Sequence, residues 1–207
     1  TGGCNFRCPF CQNSDLVFLP ENMPELQEED VLRFLEKRKG ILDGVCISGG
    51  EPLLNPELAG FLRKIKALGY AVKLDTNGSS PEKLKQLVEE GLLDYVAMDI
   101  KNSIRKYAET AGIRNLDLQG IQDSITYLKE GHIPYEFRTT IVKEFHSAQD
   151  IRDMTDWLEG AAAWYLQNFE DSDHVIQRGL HAWDKETLKA YLEIARTKIP
   201  NTELRGI

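Results

Sequence analysis

The side chains most able to do chemistry stand in TGGCNFRCPFCQNS, where Cys4, Cys8 and Cys11 sit together and only one further cysteine, Cys46, follows in the chain. A structural zinc site takes four protein ligands and a disulfide takes two. A four-iron cluster presents four iron corners, so three thiolates would hold it and leave one iron open, much as a catalytic zinc keeps a position for substrate. The cluster accounts best for the odd number. The alternatives are zinc completed by Cys46 or a histidine, and three small buried hydrophobes. Asn5, Arg7, Pro9, Gln12 and Asn13 make the stretch a polar loop rather than a core strand. Cys46 lies in an apolar run and reads as a small buried thiol.

Three further segments carry polar groups where strands should end. Gly49-Gly50-Glu51-Pro52 follows an apolar run. Its glycines let backbone approach a ligand closely, and the Glu51 carboxylate can accept from an ammonium; alone, the segment could be only a turn into a helix. Leu74-Asp75-Thr76-Asn77-Gly78 and Met98-Asp99-Ile100-Lys101 place acids and a lysine at strand ends, which line the catalytic face of a βα barrel. An Asn-Gly turn and a strand-end ion pair are their plainer readings. Gln167 and Asn168 close the last apolar run, to meet a ligand or cap the strand. His132 and His146 fall in loops, and His174 and His181 in DSDHVIQRGLHAW, with no ligand spacing among them; such histidines are usually solvated. That stretch, with Trp183, is long enough to reach a partner.

The elements that would position these groups alternate short apolar runs with amphipathic segments, the pattern of βα units around a parallel sheet. Strands are expected at 44–48, 71–75, 95–100, 135–142 and 163–169. Leu58, Phe61, Leu62, Ile65 and Leu68 recur at helical spacing between Pro56 and Gly69. Leu84, Leu87 and Val88 repeat the formula between Ser80-Pro81 and Gly91. Further helices are expected over Leu118 to Leu128, after Ser147, after Asp184, and over Glu29 to Lys39. The last of these precedes the first visible strand, so a strand is expected ahead of the cysteine loop, with Thr1-Gly2-Gly3 as its tail. Without it, the run at 44–48 has an open edge.

With 207 residues, 42% of them hydrophobic, the chain suits one soluble domain, and no run reaches the roughly 18 apolar residues of a membrane span. A formal net charge of −8 argues against a nucleic-acid partner. Four cysteines with three crowded together fit thiolate chemistry in a reducing compartment, the cytoplasm, rather than a disulfide framework.

CNFRCPFC has the CxxxCxxC spacing of the radical S-adenosylmethionine (radical SAM) enzymes, and GGEP resembles their glycine-rich segment. LDTNG and MDIK are similar to segments of the activating enzymes of glycyl radical enzymes. The run from CNFRCPFCQNSDLV through LDTNG, YVAMDIK and YLQNF to NTELRGI most resembles the activating proteins of anaerobic ribonucleoside-triphosphate reductase. The resemblance implies an α/β fold, a partial (β/α)6 barrel, as a single domain over 1–207. It implies that Cys4, Cys8 and Cys11 hold one 4Fe-4S cluster and that the methionyl end of SAM chelates the open iron. One electron then cleaves the S–C5′ bond, and the 5′-deoxyadenosyl radical takes a hydrogen from a glycine of the partner glycyl radical enzyme.

By the same resemblance Gly49, Gly50, Glu51, Asp75, Thr76, Asp99, Lys101 and Arg138 surround SAM; Gln167 and Asn168, by their place at the end of the last strand, would meet its adenosyl part or merely cap the strand. The aspartates would also help to hold a monovalent cation. An electron donor such as flavodoxin or ferredoxin is implied, and neither nucleic acid nor membrane. A second cysteine cluster is absent, unlike activases with auxiliary clusters or peptide maturases. The pyruvate formate-lyase type of activase shares these motifs and stands as the alternative, ahead of an enzyme acting on a small molecule or tRNA precursor. A non-catalytic Fe-S or zinc-binding scaffold is the alternative of another class.

Overall fold

Alternating burial along the strands explains how one sheet serves two environments. In β2 (Ala71–Thr76), Val72, Leu74 and Thr76 are buried, whereas Lys73 and Asp75 stay partly exposed. In β4 (Tyr135–Ile141), Phe137, Thr139 and Ile141 are buried, while Arg138 and Thr140 are partly exposed. Successive side chains of a strand point to opposite faces, so one face meets the helices and the other, the inner face, stays open and polar. These features belong to a computed structural model that describes residues 1–206; Ile207, the end of the expected 1–207 domain, lies outside the described residues.

The sheet has six parallel strands in sequential order: β1 (Gly44–Ile47), β2, β3 (Tyr95–Asp99), β4, β5 (Trp164–Asn168) and β6 (Thr202–Arg205). β1 and β6 are the two edges and do not pair, so the barrel is partial and open. The five expected strands are all present within a residue or two. The described sheet also holds a strand the sequence did not announce, β6, beside β5. Residues 1–3 bond alongside the end of β1, as expected for the tail of a strand there: the Thr1 ammonium donates to Ser48 O, Gly50 N–H to Thr1 O and Glu51 N–H to Gly3 O.

The helices in order are α1 (Ser14–Phe18), α2 (Glu28–Lys37), α3 (Leu58–Ala67), α4 (Pro81–Glu89), α5 (Tyr107–Ala111), α6 (Gln119–Lys129), α7 (Ala148–Trp157) and α8 (Lys185–Arg196). Leu62 and Ile65 of α3, Leu84 of α4, Ile121 and Ile125 of α6, Met154 of α7 and Leu188 of α8 join Leu74, Met98, Phe137 and Leu166 in one buried core. Each such side chain contributes roughly 1.5–3 kcal/mol on burial. Ser80 and Pro81 start α4 as expected, although the Ser80 side chain makes no capping bond.

α7 has the best-fastened start. Asp150 is fully buried, yet Oδ2 accepts from Ser147 N–H (2.9 Å), from Ser147 Oγ (2.6 Å) and from Lys106 Nζ (2.7 Å). Burial alone would raise this carboxyl, but Lys106 and Ser147 outweigh it and pull it down to about 2. The folded value lies below the unfolded one, so its stabilisation is present above about pH 4 and is lost as pH falls toward about 2. Asp150→Asn is therefore expected to lower the urea-unfolding free energy by about 2 kcal/mol at pH 7, with the gap narrowing toward pH 3. An equal gap at both pH values would refute this account.

Candidate functional site

The cysteine loop closes over the C-terminal strand ends and bounds a cavity of about 280 Å³. Cys4, Cys8, Cys11, Gly49, Gly50, Asp75, Thr76, Asp99, Lys101, Arg138 and Gln167 all line it, together with Ser48, Asn77 and Thr140. Residues more than 160 positions apart thus converge. Glu51 and Asn168 stand outside the lining.

The loop is held by backbone. Arg7 N–H donates to Ala111 O at 2.9 Å, Ile176 N–H to Cys11 O at 3.2 Å and Gln177 N–H to Pro9 O at 2.8 Å. The 171–183 stretch, expected to be long enough for a partner, therefore packs on the cysteine loop. On the other side Glu51 N–H reaches Gly3 O at 2.8 Å. That approach needs glycine: a Cβ on Gly50 would lie 2.0 Å from Gly3 O, and one on Gly49, whose φ is +145°, 2.0 Å from Thr1 O.

Cys8 is buried, and Cys4 and Cys11 are partly exposed. Burial raises the Cys4 thiol and pushes that of Cys8 up to about 11, so without a metal Cys8 is protonated at neutral pH. A coordinated metal would deprotonate it. Among the described residues no three His, Cys, Asp or Glu side chains are gathered to share a single metal ion. Three thiols around one cavity instead suit a polynuclear group, where each corner takes its own thiolate. Cys46, expected to be buried, is exposed: it lies opposite Lys73 on the inner face, away from the helices.

Arg138 joins two strand ends, with Nε donating to Asp99 Oδ1 at 2.9 Å and Nη1 to Asp75 Oδ2 at 3.1 Å. Lys101 Nζ donates to Asp99 Oδ2 at 3.1 Å. Burial alone would raise the Asp99 carboxyl, but Lys101 and Arg138 outweigh it and hold it below its usual range. Burial alone would lower Lys101, but Asp99 outweighs it and keeps the ammonium charged. Two carboxylates and two cations at one cavity wall can receive both ends of an amino acid, ammonium to aspartate and carboxylate to Lys101 or Arg138.

Glu51 works differently from the expected ammonium acceptor. It is 1% exposed, and its oxygens accept from Leu53 N–H (3.1 Å), Thr76 Oγ1 (2.7 Å) and Asn77 N–H (2.6 Å). It positions Thr76 and Asn77 rather than facing the cavity. Asn168 exchanges two bonds with the Trp183 backbone and fastens the loop before α8.

Two functional contacts had little sequence signal. Asn77 Nδ2 donates to Asn5 Oδ1 at 2.9 Å, tying the cysteine loop to the strand-end turn. His146, expected to be solvated, is 1% exposed; Nδ1 accepts from Val142 N–H (3.1 Å), so Nε2–H donates to Lys101 O (2.9 Å). Burial pushes it down to about 4, which keeps it neutral. His132, His174 and His181 are exposed, as expected.

Residues 1–158 match the Radical SAM superfamily. Across 99% of its length the chain is 31% identical to a Methanocaldococcus jannaschii protein named "Putative glycyl-radical enzyme activating enzyme MJ1227", of which it covers 86%. A domain of pyruvate-formate lyase-activating enzyme from Bacteroides vulgatus superposes with a TM-score of 0.65 at 18% identity, covering 80% of this chain and all of that one. Streptococcus suis SuiB bound to S-adenosylmethionine gives 0.77 at 17% identity, over 98% of this chain and 48% of SuiB. These two structures share the fold.

Gly50→Ala is expected to push the loop off Gly3 O, destabilising the protein by roughly 1–3 kcal/mol and speeding hydrogen exchange at the Glu51 amide. Exchange at the parent rate would show that the loop does not depend on this contact.

Proposed function

Because the chain belongs to the radical SAM superfamily, whose enzymes use a 4Fe-4S cluster and SAM, we propose that it activates a glycyl radical enzyme by removing one hydrogen atom from a glycine Cα. The observation that carries this reading is the convergence of Cys4, Cys8 and Cys11 with Asp75, Asp99, Lys101 and Arg138 on one cavity. The three thiols would hold the cluster. When cluster and SAM are bound, the chemistry supplied is one-electron reductive cleavage to methionine and a hydrogen-abstracting 5′-deoxyadenosyl radical.

The chain's own residues bind and orient. Lys101 and Arg138 take the methionyl carboxylate, Asp99 and Asp75 the amino group, and the Gly49-Gly50 backbone lies against the ligand. Gln167 and Thr140, which also line the cavity, would face its adenosyl side, while Phe6 and Val17 close part of the wall to water. A monovalent cation held with help from the aspartates would have to take the place of the Lys73 ammonium at Asp75 Oδ1, which is buried without a hydrogen bond and has Lys73 Nζ 3.0 Å away. A cavity of about 280 Å³ is at the lower limit for a single small ligand. Once SAM occupies it, little enclosed room is left, which favours a macromolecular substrate that presents its glycine from outside. The flanking amide nitrogen and carbonyl stabilise the resulting glycine radical.

Anaerobic ribonucleoside-triphosphate reductase is the proposed partner, with flavodoxin or ferredoxin as reductant. The pyruvate formate-lyase type of enzyme is the second candidate, since Asp75, Thr76, Asp99 and Lys101 serve either.

Anaerobically reconstituted protein is expected to bind about four irons per chain and, with reductant, SAM and the reductase, to give a glycyl doublet in electron paramagnetic resonance. Cys8→Ala should abolish cluster and doublet, and Cys46→Ala should keep both. SAM cleavage without a doublet from either candidate enzyme would sink the activase reading. Iron retained in Cys8→Ala would sink the ligand assignment.

A further inference from the structure

Below the cavity the inner face continues as a chain of alternating charges. The Arg205 guanidinium of β6 lies 3.4 Å over the Tyr165 ring of β5 and donates to both Glu136 oxygens of β4, at 3.1 and 3.0 Å. Glu136 also takes the Tyr95 hydroxyl at 3.3 Å and has Lys73 Nζ at 3.7 Å. Lys73 Nζ is 3.0 Å from Asp75 Oδ1, and Asp75 Oδ2 receives Arg138, which reaches Asp99 and through it Lys101. From Arg205 to Lys101, every neighbour along the chain is of opposite sign.

Lys73 is the decisive link, because a buried acid, Glu136, and a partly exposed one, Asp75, share it. The Glu136 side chain is 5% exposed, and its closest cationic partner is the bidentate Arg205. Asp75 Oδ1 is buried and accepts no hydrogen bond, so the Lys73 ammonium is the charge that offsets it. If Arg205 were lost, Glu136 would draw Lys73 to itself. Asp75 would then lean harder on Arg138, at the expense of Asp99.

We propose that Arg205, Glu136 and Lys73 are positioning residues that set the placement of Asp75 and Arg138 from across the sheet, and thereby the affinity of the cavity for the amino-acid end of SAM. They lie outside the cavity lining. The affinity statement rests on the SAM reading above. A second reporter does not: Cys46 is exposed beside Asp75 and Lys73, and after burial its thiol is raised by the former and lowered by the latter.

Arg205→Met in the cluster-loaded protein is expected to weaken SAM binding roughly tenfold by equilibrium dialysis, with iron content unchanged. Arg205→Lys, and the pair Arg205→Met with Glu136→Gln, should bind within about threefold of the parent, because the charge is kept or the unpaired acid is gone. In cluster-free protein, Arg205→Met should slow iodoacetamide alkylation of Cys46, followed by peptide mass spectrometry, and the double variant should restore it. Parent affinity in Arg205→Met, iron lost in step with affinity, a double variant no tighter than the single, or unchanged Cys46 kinetics would each overturn the proposal. A parent protein that fails to bind SAM would sink the SAM reading instead, and Cys46 would still test the charge linkage.

Discussion

The arrangement at the cavity mouth depends on one buried carboxylate that never faces it. Glu51 receives Leu53 N–H, Thr76 Oγ1 and Asn77 N–H, while its own amide donates to Gly3 O. One residue thereby joins the turn after β1, the turn after β2 and the start of the cysteine loop. Asn77 carries the connection on to Asn5. A carboxylate serves here because it offers two oxygens, each with two lone pairs, to several donors at once. Burial alone raises the Glu51 carboxyl and the three hydrogen bonds only partly offset this, so the site holds some cost in exchange for registration of three loops.

A second constraint acts on the inner face. Parallel sheets are normally covered on both faces, but here one face must stay open if a ligand is to reach the strand ends. Apolar side chains there would expose a patch, and unpaired charges would repel one another. The sheet register resolves both problems by setting Asp99 beside Arg138, and by placing Glu136 where Lys73 and Arg205 can reach it from either side. Ala97, between Asp75 and Glu136 in the ladder, supplies the small side chain over which these longer ones cross.

Much of this was legible from residue type and spacing. GGEP, DTNG and MDIK lie at strand ends because apolar runs precede them, and those runs are β1, β2 and β3, whereas CxxxCxxC was legible by its spacing alone. β6 was not legible: TELR is short, has leucine as its one apolar residue, and is buried only at Thr202, so no apolar run announces it. α5 spans five residues and shows no full period. Cys46 misled because hydrophobic context in a strand does not say which face a side chain takes. His146 was invisible for a related reason, since its burial under Trp183 and Tyr191 is decided by elements more than 30 residues away. Glu51 was found, but its partners were not, because hydrogen bonds to backbone amides leave no trace in spacing.

The charge chain is better understood as a device for placement than for stability. Two unit charges about 3 Å apart attract by roughly 5 kcal/mol at an effective dielectric near 20, while desolvating each ion costs several kcal/mol. Pair by pair the terms nearly cancel. Removing Arg205 is a different matter, because Glu136, its side chain 5% exposed, stays buried without the charge that offset it. A network of this kind therefore contributes little to folding when complete, yet strongly disfavours every arrangement in which one link is displaced. Geometry at Asp75, Asp99 and Arg138 is then set by charges beyond the cavity, and β6, remote in sequence from every motif, becomes part of the site.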